Sequence, residues 1–211
     1  MYGYVKVGSA VPKLRVADCV YNKEEILKLV EAAAAKQVRV LSFPELSVTG
    51  YTCADLFFQT PLLHAAEQAI QEIAEATKAL NIFLLIGAPI AVDNQMFNCA
   101  VALYRGKLLG IVPKTHIPNY SEFYEERWFA SADDLLTEEI TYAGQNVPIG
   151  ADLIFAAADF PALKIGVEIC EDLWVPIPPS SYLSLYGATL LLNLSASNEL
   201  ASKPGYRRQL V

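Results

Sequence analysis

The chain has 211 residues, 54% of them apolar and 18% charged, with a formal net charge of −7. That length fits one domain with a core that needs no staples. The acidic balance argues against nucleic acid and anionic membrane surfaces, both of which need clustered Lys and Arg. No apolar run approaches the ~20 residues of a membrane span. The start, Met1-Tyr2-Gly3-Tyr4-Val5-Lys6, lacks a basic segment followed by an apolar one, so no signal peptide is expected. Cys19, Cys53, Cys99 and Cys170 are widely spaced without a C-x-x-C, which predicts free thiols and a cytoplasmic location.

In chain order, a first strand is predicted near residues 4–11. Asn22 with Glu25 three positions later resembles a capping box opening a helix to about Lys36. Its apolar face holds Ile26, Leu29, Val30, Ala33 and Ala34. Residues 38–43 read as a buried strand. Pro61 opens a second helix, ending near Leu80, with Leu62, Ala65, Ala69, Ile73 and Ala76 on one side. Strands follow at 82–90, 97–104 and 108–112, the last two joined by a tight turn at Arg105-Gly106-Lys107. Residues 114–150 are polar and aromatic without a period, as in functional lids. Their first half, carrying Tyr120, Phe123, Tyr124, Trp128 and Phe129, is expected to wall a pocket. The acidic part, 131–150, is expected to be the mobile, solvent-facing half. Strands near 153–155 and 163–169, a helix near 179–186, a strand at 189–194 and a helix begun near Pro204 complete the chain. Hairpins mixed with βαβ-like steps predict two sheets with helices outside rather than a Rossmann sheet.

Three strand ends each carry one reactive side chain. They are Glu45 in Phe43-Pro44-Glu45-Leu46, Lys114 in Val112-Pro113-Lys114-Thr115, and Cys170 in Glu168-Ile169-Cys170-Glu171-Asp172-Leu173-Trp174. Strand ends hand rigid backbone over to loops, so three of them can converge on one pocket. A thiol after a strand is usually inert core, and a lysine there usually solvated. Carboxylates beside Cys170 would raise its pKa, so the acidic frame makes sense only with a cation to offset the charge and a carboxylate to take the proton. Lys114 can be the first and Glu45 the second. Together the three could attack an amide covalently. A Cys–His pair using His116 is the competing local reading, and His116 is its sole candidate. No G-x-S-x-G, P-loop, GxGxxG or metal-ligand spacing is present.

These segments resemble the nitrilase (carbon–nitrogen hydrolase) superfamily, whose Glu–Lys–Cys triad occurs in this order. Within it they look most like the glutaminase domains of glutamine-dependent NAD synthetases. The similarity is carried by residues 43–51, by Lys114-Thr115-His116-Ile117-Pro118-Asn119-Tyr120 with the 122–129 block, and by residues 168–176. It continues through Asn193-Leu194-Ser195-Ala196-Ser197 to Tyr206-Arg207-Arg208, covering essentially the whole chain.

The resemblance implies an α/β fold, the nitrilase-type α-β-β-α sandwich of two mixed sheets with helices outside. It implies that Cys170 attacks the glutamine side-chain amide while Glu45 moves the proton. Lys114 and the Glu171 N–H would hold the oxyanion, and water would then hydrolyse a Cys170 thioester. Glu125 matches the superfamily's additional glutamate. Tyr51, Tyr120, Glu171, Trp174 and Ser197 fall where relatives contact glutamine, and Lys203 where a basic residue meets the substrate carboxylate. Glutamine is the implied substrate, and no cofactor is implied for this domain. ATP and Mg belong to a C-terminal synthetase domain that would use the ammonia to amidate deamido-NAD. No Ser-Gly-Gly pyrophosphate loop occurs here, and the chain stops at Leu210-Val211 within a predicted helix. The chain therefore reads as a single carbon–nitrogen hydrolase domain over 1–211, C-terminally truncated, from a longer, homo-oligomeric enzyme. A standalone amidase acting on a free ω-amide, N-carbamoyl compound or nitrile is the alternative, and a non-enzymatic binding module a third possibility.

Overall fold

The structure is a computed structural model that describes residues 3–211. Its elements are β1 (Val7–Ser9), α1 (Cys19–Ala35), β2 (Val40–Ser42), α2 (Thr60–Thr77), β3 (Phe83–Val92), β4 (Gln95–Tyr104) and β5 (Lys107–Pro113). Then come β6 (Glu139–Tyr142), β7 (Gln145–Pro148), β8 (Ile154–Ala156), β9 (Lys164–Ile169), α3 (Pro179–Leu185), β10 (Leu190–Leu194) and α4 (Lys203–Leu210). One sheet has the order β1-β2-β3-β4-β5, the second β10-β9-β8, and β6 pairs with β7 alone. Both larger sheets are mixed. β1, β2 and β3 run parallel, β4 is antiparallel to β3, and β5 is antiparallel to β4. β9 is parallel to β10 and antiparallel to β8.

Side-chain alternation sets the layers, because successive strand residues point to opposite faces. On β3, Leu84, Ile86 and Ala88 join the core under α1 and α2, with Ile26, Val30, Ile70 and Ile73. Phe83 and Leu85 point the other way. They meet Ile165, Val167, Ile169 and Leu194 of the second sheet in a separate cluster between the sheets. Such runs must be apolar throughout, since both faces are covered. On the far side Glu168 accepts the Ser180 N–H at 3.0 Å, seating α3 on β9. The layers are therefore helix, sheet, sheet, helix.

Local rules account for most boundaries. The β4–β5 turn uses Arg105 and Gly106 at φ 50° and 80°, the left-handed pair that a two-residue hairpin requires. Pro61 lies in the first turn of α2, as expected. The expected cap of α1 is corrected: Asp18 caps it, accepting the Tyr21 N–H at 3.0 Å. Asn22 lies inside the helix, fully buried, and spends its amide on distant backbone. It accepts from Arg15 N at 2.7 Å and donates to Arg15 O at 2.8 Å and Val48 O at 2.9 Å. The expectation for 131–150 is also corrected. Its second part folds as the β6–β7 hairpin and buries Tyr142, Val147 and Ile149 in the helix-side core. The alternation there is too short to stand out from the polar residues around it.

One close approach fixes the segment after β2. A Cβ on Gly87 would lie 2.3 Å from Leu46 N and 2.5 Å from Pro44 O, so this backbone crosses β3 in contact with bare glycine. The Val48 N–H then bonds Gly87 O at 3.1 Å. Gly87→Ala is expected to lower unfolding free energy by about 1–3 kcal/mol through overpacking, read from urea denaturation. A variant as stable as the parent would show that the 43–48 segment is not held by this contact.

Candidate active site

Glu45, Lys114 and Cys170 leave the ends of β2, β5 and β9. All three are buried, at 2%, 0% and 6% exposure. Lys114 is held at its backbone by its N–H to Asn98 O, 2.8 Å, which continues the β4–β5 ladder one residue beyond the strand. Its Nζ lies 3.2 Å from Glu45 Oε2 and 2.9 and 2.8 Å from the two Glu125 oxygens. Burial opposes its charge, but the Glu45 and Glu125 carboxylates outweigh it and hold the ammonium above its ordinary pKa. Glu125 reaches this point from the short 3₁₀ turn Glu125–Arg127 and also accepts the Tyr51 hydroxyl at 2.6 Å. Burial raises its carboxyl, against the pull of Lys114.

Glu45 is held at both oxygens. Oε1 accepts the Ala196 N–H at 2.8 Å, and Oε2 accepts Asn98 Nδ2 at 2.9 Å besides Lys114. Cys170 opens a short 3₁₀ turn with φ 47°, a left-handed conformation that costs a non-glycine residue about 1–2 kcal/mol. Its Sγ accepts the Ser195 hydroxyl at 3.4 Å. Burial and then the Glu45 charge push the thiol up to about 12, with Lys114 opposing them. At neutral pH the group is therefore a thiol and needs a base beside it. Cys19, Cys53 and Cys99 are also free and buried, and none adjoins such a cluster.

The remaining residues singled out in the sequence fall into small groups. Trp174, Ser197 and Lys203 are together: Lys203 Nζ donates to Ser197 Oγ at 2.5 Å and lies 5.2 Å from the Trp174 ring centroid. Ser197 N–H bonds Ser195 Oγ at 3.2 Å, so this group connects to the thiol through one hydroxyl. Tyr120, itself exposed, donates to both oxygens of the half-buried Glu171 at 2.9 and 3.0 Å. His116 stands apart: its side chain, with Thr115, Ile117, Tyr120 and Glu171, lines a groove of about 1130 Å³ whose wall includes none of Glu45, Lys114 and Cys170. Among the described residues, no group of three or more His, Cys, Asp and Glu is arranged to hold a metal ion. Nor, among the described residues, is any helix long and apolar enough to cross a membrane.

Sequence reasoning missed two polar residues here, Asn98 and Asp172. Asp172 is 1% exposed and accepts N–H donors from both sides of the site. Thr115 and His116 donate to Oδ1 at 3.2 and 2.7 Å, and Ile169 donates to Oδ2 at 2.9 Å. The carboxylate thus ties the turn after Lys114 to the residue before Cys170. Burial pushes its carboxyl up to about 7, while the His116 and Ile169 N–H groups pull it down. Its place two residues after Cys170 was the one available signal.

Matched over residues 7–210 by the family model for carbon-nitrogen hydrolases, the chain belongs to that family. It is 39% identical over 208 residues to a glutamine-dependent NAD(+) synthetase of Mycobacterium leprae, covering 99% of this chain and 30% of that protein. A Thermotoga maritima protein of the same name is 33% identical over 188 residues, 89% of this chain and 29% of its own. The chain thus spans about a third or less of these relatives. Among solved structures, a glutamine-dependent NAD(+) synthetase from Cytophaga hutchinsonii superimposes with TM-score 0.84 at 30% identity, over 98% of this chain and 33% of that one. An amidase from Nesterenkonia shares the fold at TM-score 0.73 and 17% identity, over 97% of this chain and 70% of its own.

Asp172→Asn turns one acceptor oxygen into a donor facing a main-chain N–H. It is expected to cost about 1–3 kcal/mol and to speed hydrogen exchange at the His116 or Ile169 amide. Unchanged stability and unchanged exchange would show that the clamp contributes nothing.

Proposed function

We propose that this chain is the glutamine-hydrolysing unit of a glutamine-dependent NAD(+) synthetase. The observation that carries the reading is the buried cluster in which Lys114 bridges Glu45 and Glu125 beside a neutral Cys170 thiol. A neutral thiol is a poor nucleophile until a base takes its proton. Glu45, fixed at both oxygens, is that base. Sγ attacks the side-chain carbonyl carbon of glutamine as its proton passes to Glu45. The carbonyl oxygen becomes an oxyanion held by the Lys114 ammonium and the Glu171 N–H. Glu45 returns the proton to the departing nitrogen, the C–N bond breaks, and ammonia leaves a glutamyl thioester on Cys170. Water, deprotonated by Glu45, attacks the thioester, releasing glutamate and restoring the thiol.

Glu125 keeps the ammonium aimed at the oxyanion position, and Tyr51 fixes Glu125. Lys203, Ser197 and Trp174 supply polar and aromatic contacts for the α-carboxylate end of glutamine, Lys203 as a point charge without a bidentate fork. Tyr120 and Glu171 cover the amino end. Ammonia would pass to a synthetase domain of the longer enzyme, which uses ATP and Mg to amidate deamido-NAD in a cytoplasmic homo-oligomer. This unit itself would need no cofactor.

Cys170→Ala should abolish glutamate release from glutamine, and in the complete enzyme it should spare NAD synthesis from added ammonia. His116→Ala should keep most of the glutaminase rate. Equal damage from both substitutions in folded proteins would favour a Cys–His pair. Faster turnover of simple ω-amides or N-carbamoyl compounds than of glutamine would favour a standalone amidase.

A further inference from the structure

Asn98 lies on β4 with no exposure to solvent. Its Nδ2 donates to Glu45 Oε2 at 2.9 Å, and its carbonyl accepts the Lys114 N–H at 2.8 Å. The amide orientation follows from its neighbour, because an ionised carboxylate only accepts hydrogen bonds. The other end of the same amide is an anomaly: Oδ1 is buried and has no hydrogen-bond partner. A buried orphan acceptor is destabilising, and a fold selected for stability alone would place an apolar residue of similar volume here.

We propose that Asn98 is a positioning residue for the hydrolysis, retained at the expense of its unpaired oxygen because it aims Glu45 between the Cys170 thiol and the Lys114 ammonium. Three donors fix the Glu45 carboxylate: Ala196 N–H on Oε1, and Asn98 Nδ2 and Lys114 Nζ on Oε2. Ala196 comes from the segment after β10, and Lys114 is shared with Glu125. Asn98 is the neutral donor to Oε2, and it sits inside the five-stranded sheet, where β4 is paired on both sides. Without it Oε2 has only the ammonium, and the carboxylate swings toward Lys114 and away from the thiol. A base misplaced by about 1 Å can cost a hundredfold in rate. The inference rests on the reading of Glu45 as the base.

The test compares the wild-type chain with Asn98→Leu, Asn98→Asp and Glu45→Gln, measuring kcat and KM for glutamine hydrolysis and the thermal midpoint. Leucine removes donor and orphan together. Aspartate keeps the shape but, when ionised, removes the donor. Both are expected to lower kcat by at least about tenfold with KM changed less than about twofold. The Asn98→Leu midpoint should lie within a few degrees of the parent or above it, since the lost bond and the removed orphan offset each other. That arm reads out whatever the turnover rate. Wild-type kcat in both Asn98 variants, with Glu45→Gln inactive, overturns this proposal alone. A fall of about 10 °C or more in Asn98→Leu overturns it too, because Asn98 would then be structural. Hydrolysis that survives Glu45→Gln removes the base reading, and this proposal with it.

Discussion

The site depends on one buried cation. Lys114 has no exposure, and its Nζ is shared between Glu45 and Glu125, themselves almost fully buried. Charges are brought out of water only at a cost of several kcal/mol each, recovered when geometry is good and the remaining lone pairs are filled. Here they are filled: Glu45 by Ala196 and Asn98, Glu125 by Tyr51. Each partner comes from a different part of the chain, so the cluster as a whole joins segments from both sheets and from the aromatic loop. The long reach of the fold, from residue 45 to residue 196, closes on this cluster.

Burial and these charges together keep Cys170 a neutral thiol. Burial, and then the Glu45 carboxylate, outweigh the Lys114 ammonium at Cys170, so the thiolate is disfavoured. A preformed thiolate would suit a site that reacts with any electrophile. In the proposed hydrolysis, a thiol that loses its proton only to a positioned carboxylate would couple attack to the proton that departing ammonia needs. The left-handed backbone at Cys170 and the clamp from Asp172 fix the turn that carries the sulfur.

Much of this was legible in the sequence, for physical reasons. Strands covered on both faces are apolar runs, so 82–90 and 163–169 stood out within a residue or two of β3 and β9. The three reactive residues stood out because each breaks an apolar run with a group that needs a partner. What stayed hidden acts through the backbone or at long range. Asn22 looked like a cap, because a short amide before a helix usually is one, while the structure uses it to satisfy Arg15 and Val48. The β6–β7 hairpin lies in a segment too polar to show its alternation. Asn98 lies inside a strand, and Asp172 acts through main-chain N–H groups, so neither has a pattern to find. Gly87 is similar, since its need for bare backbone comes from residues about forty positions earlier.

The most direct test of the central cation is urea unfolding of Lys114→Met across pH. Stranding two buried carboxylates should cost about 3–5 kcal/mol at neutral pH. The deficit should shrink as the pH falls and protonation neutralises them. A loss below about 1 kcal/mol that does not change with pH would contradict the account, because the carboxylates would then not depend on Lys114 for their burial.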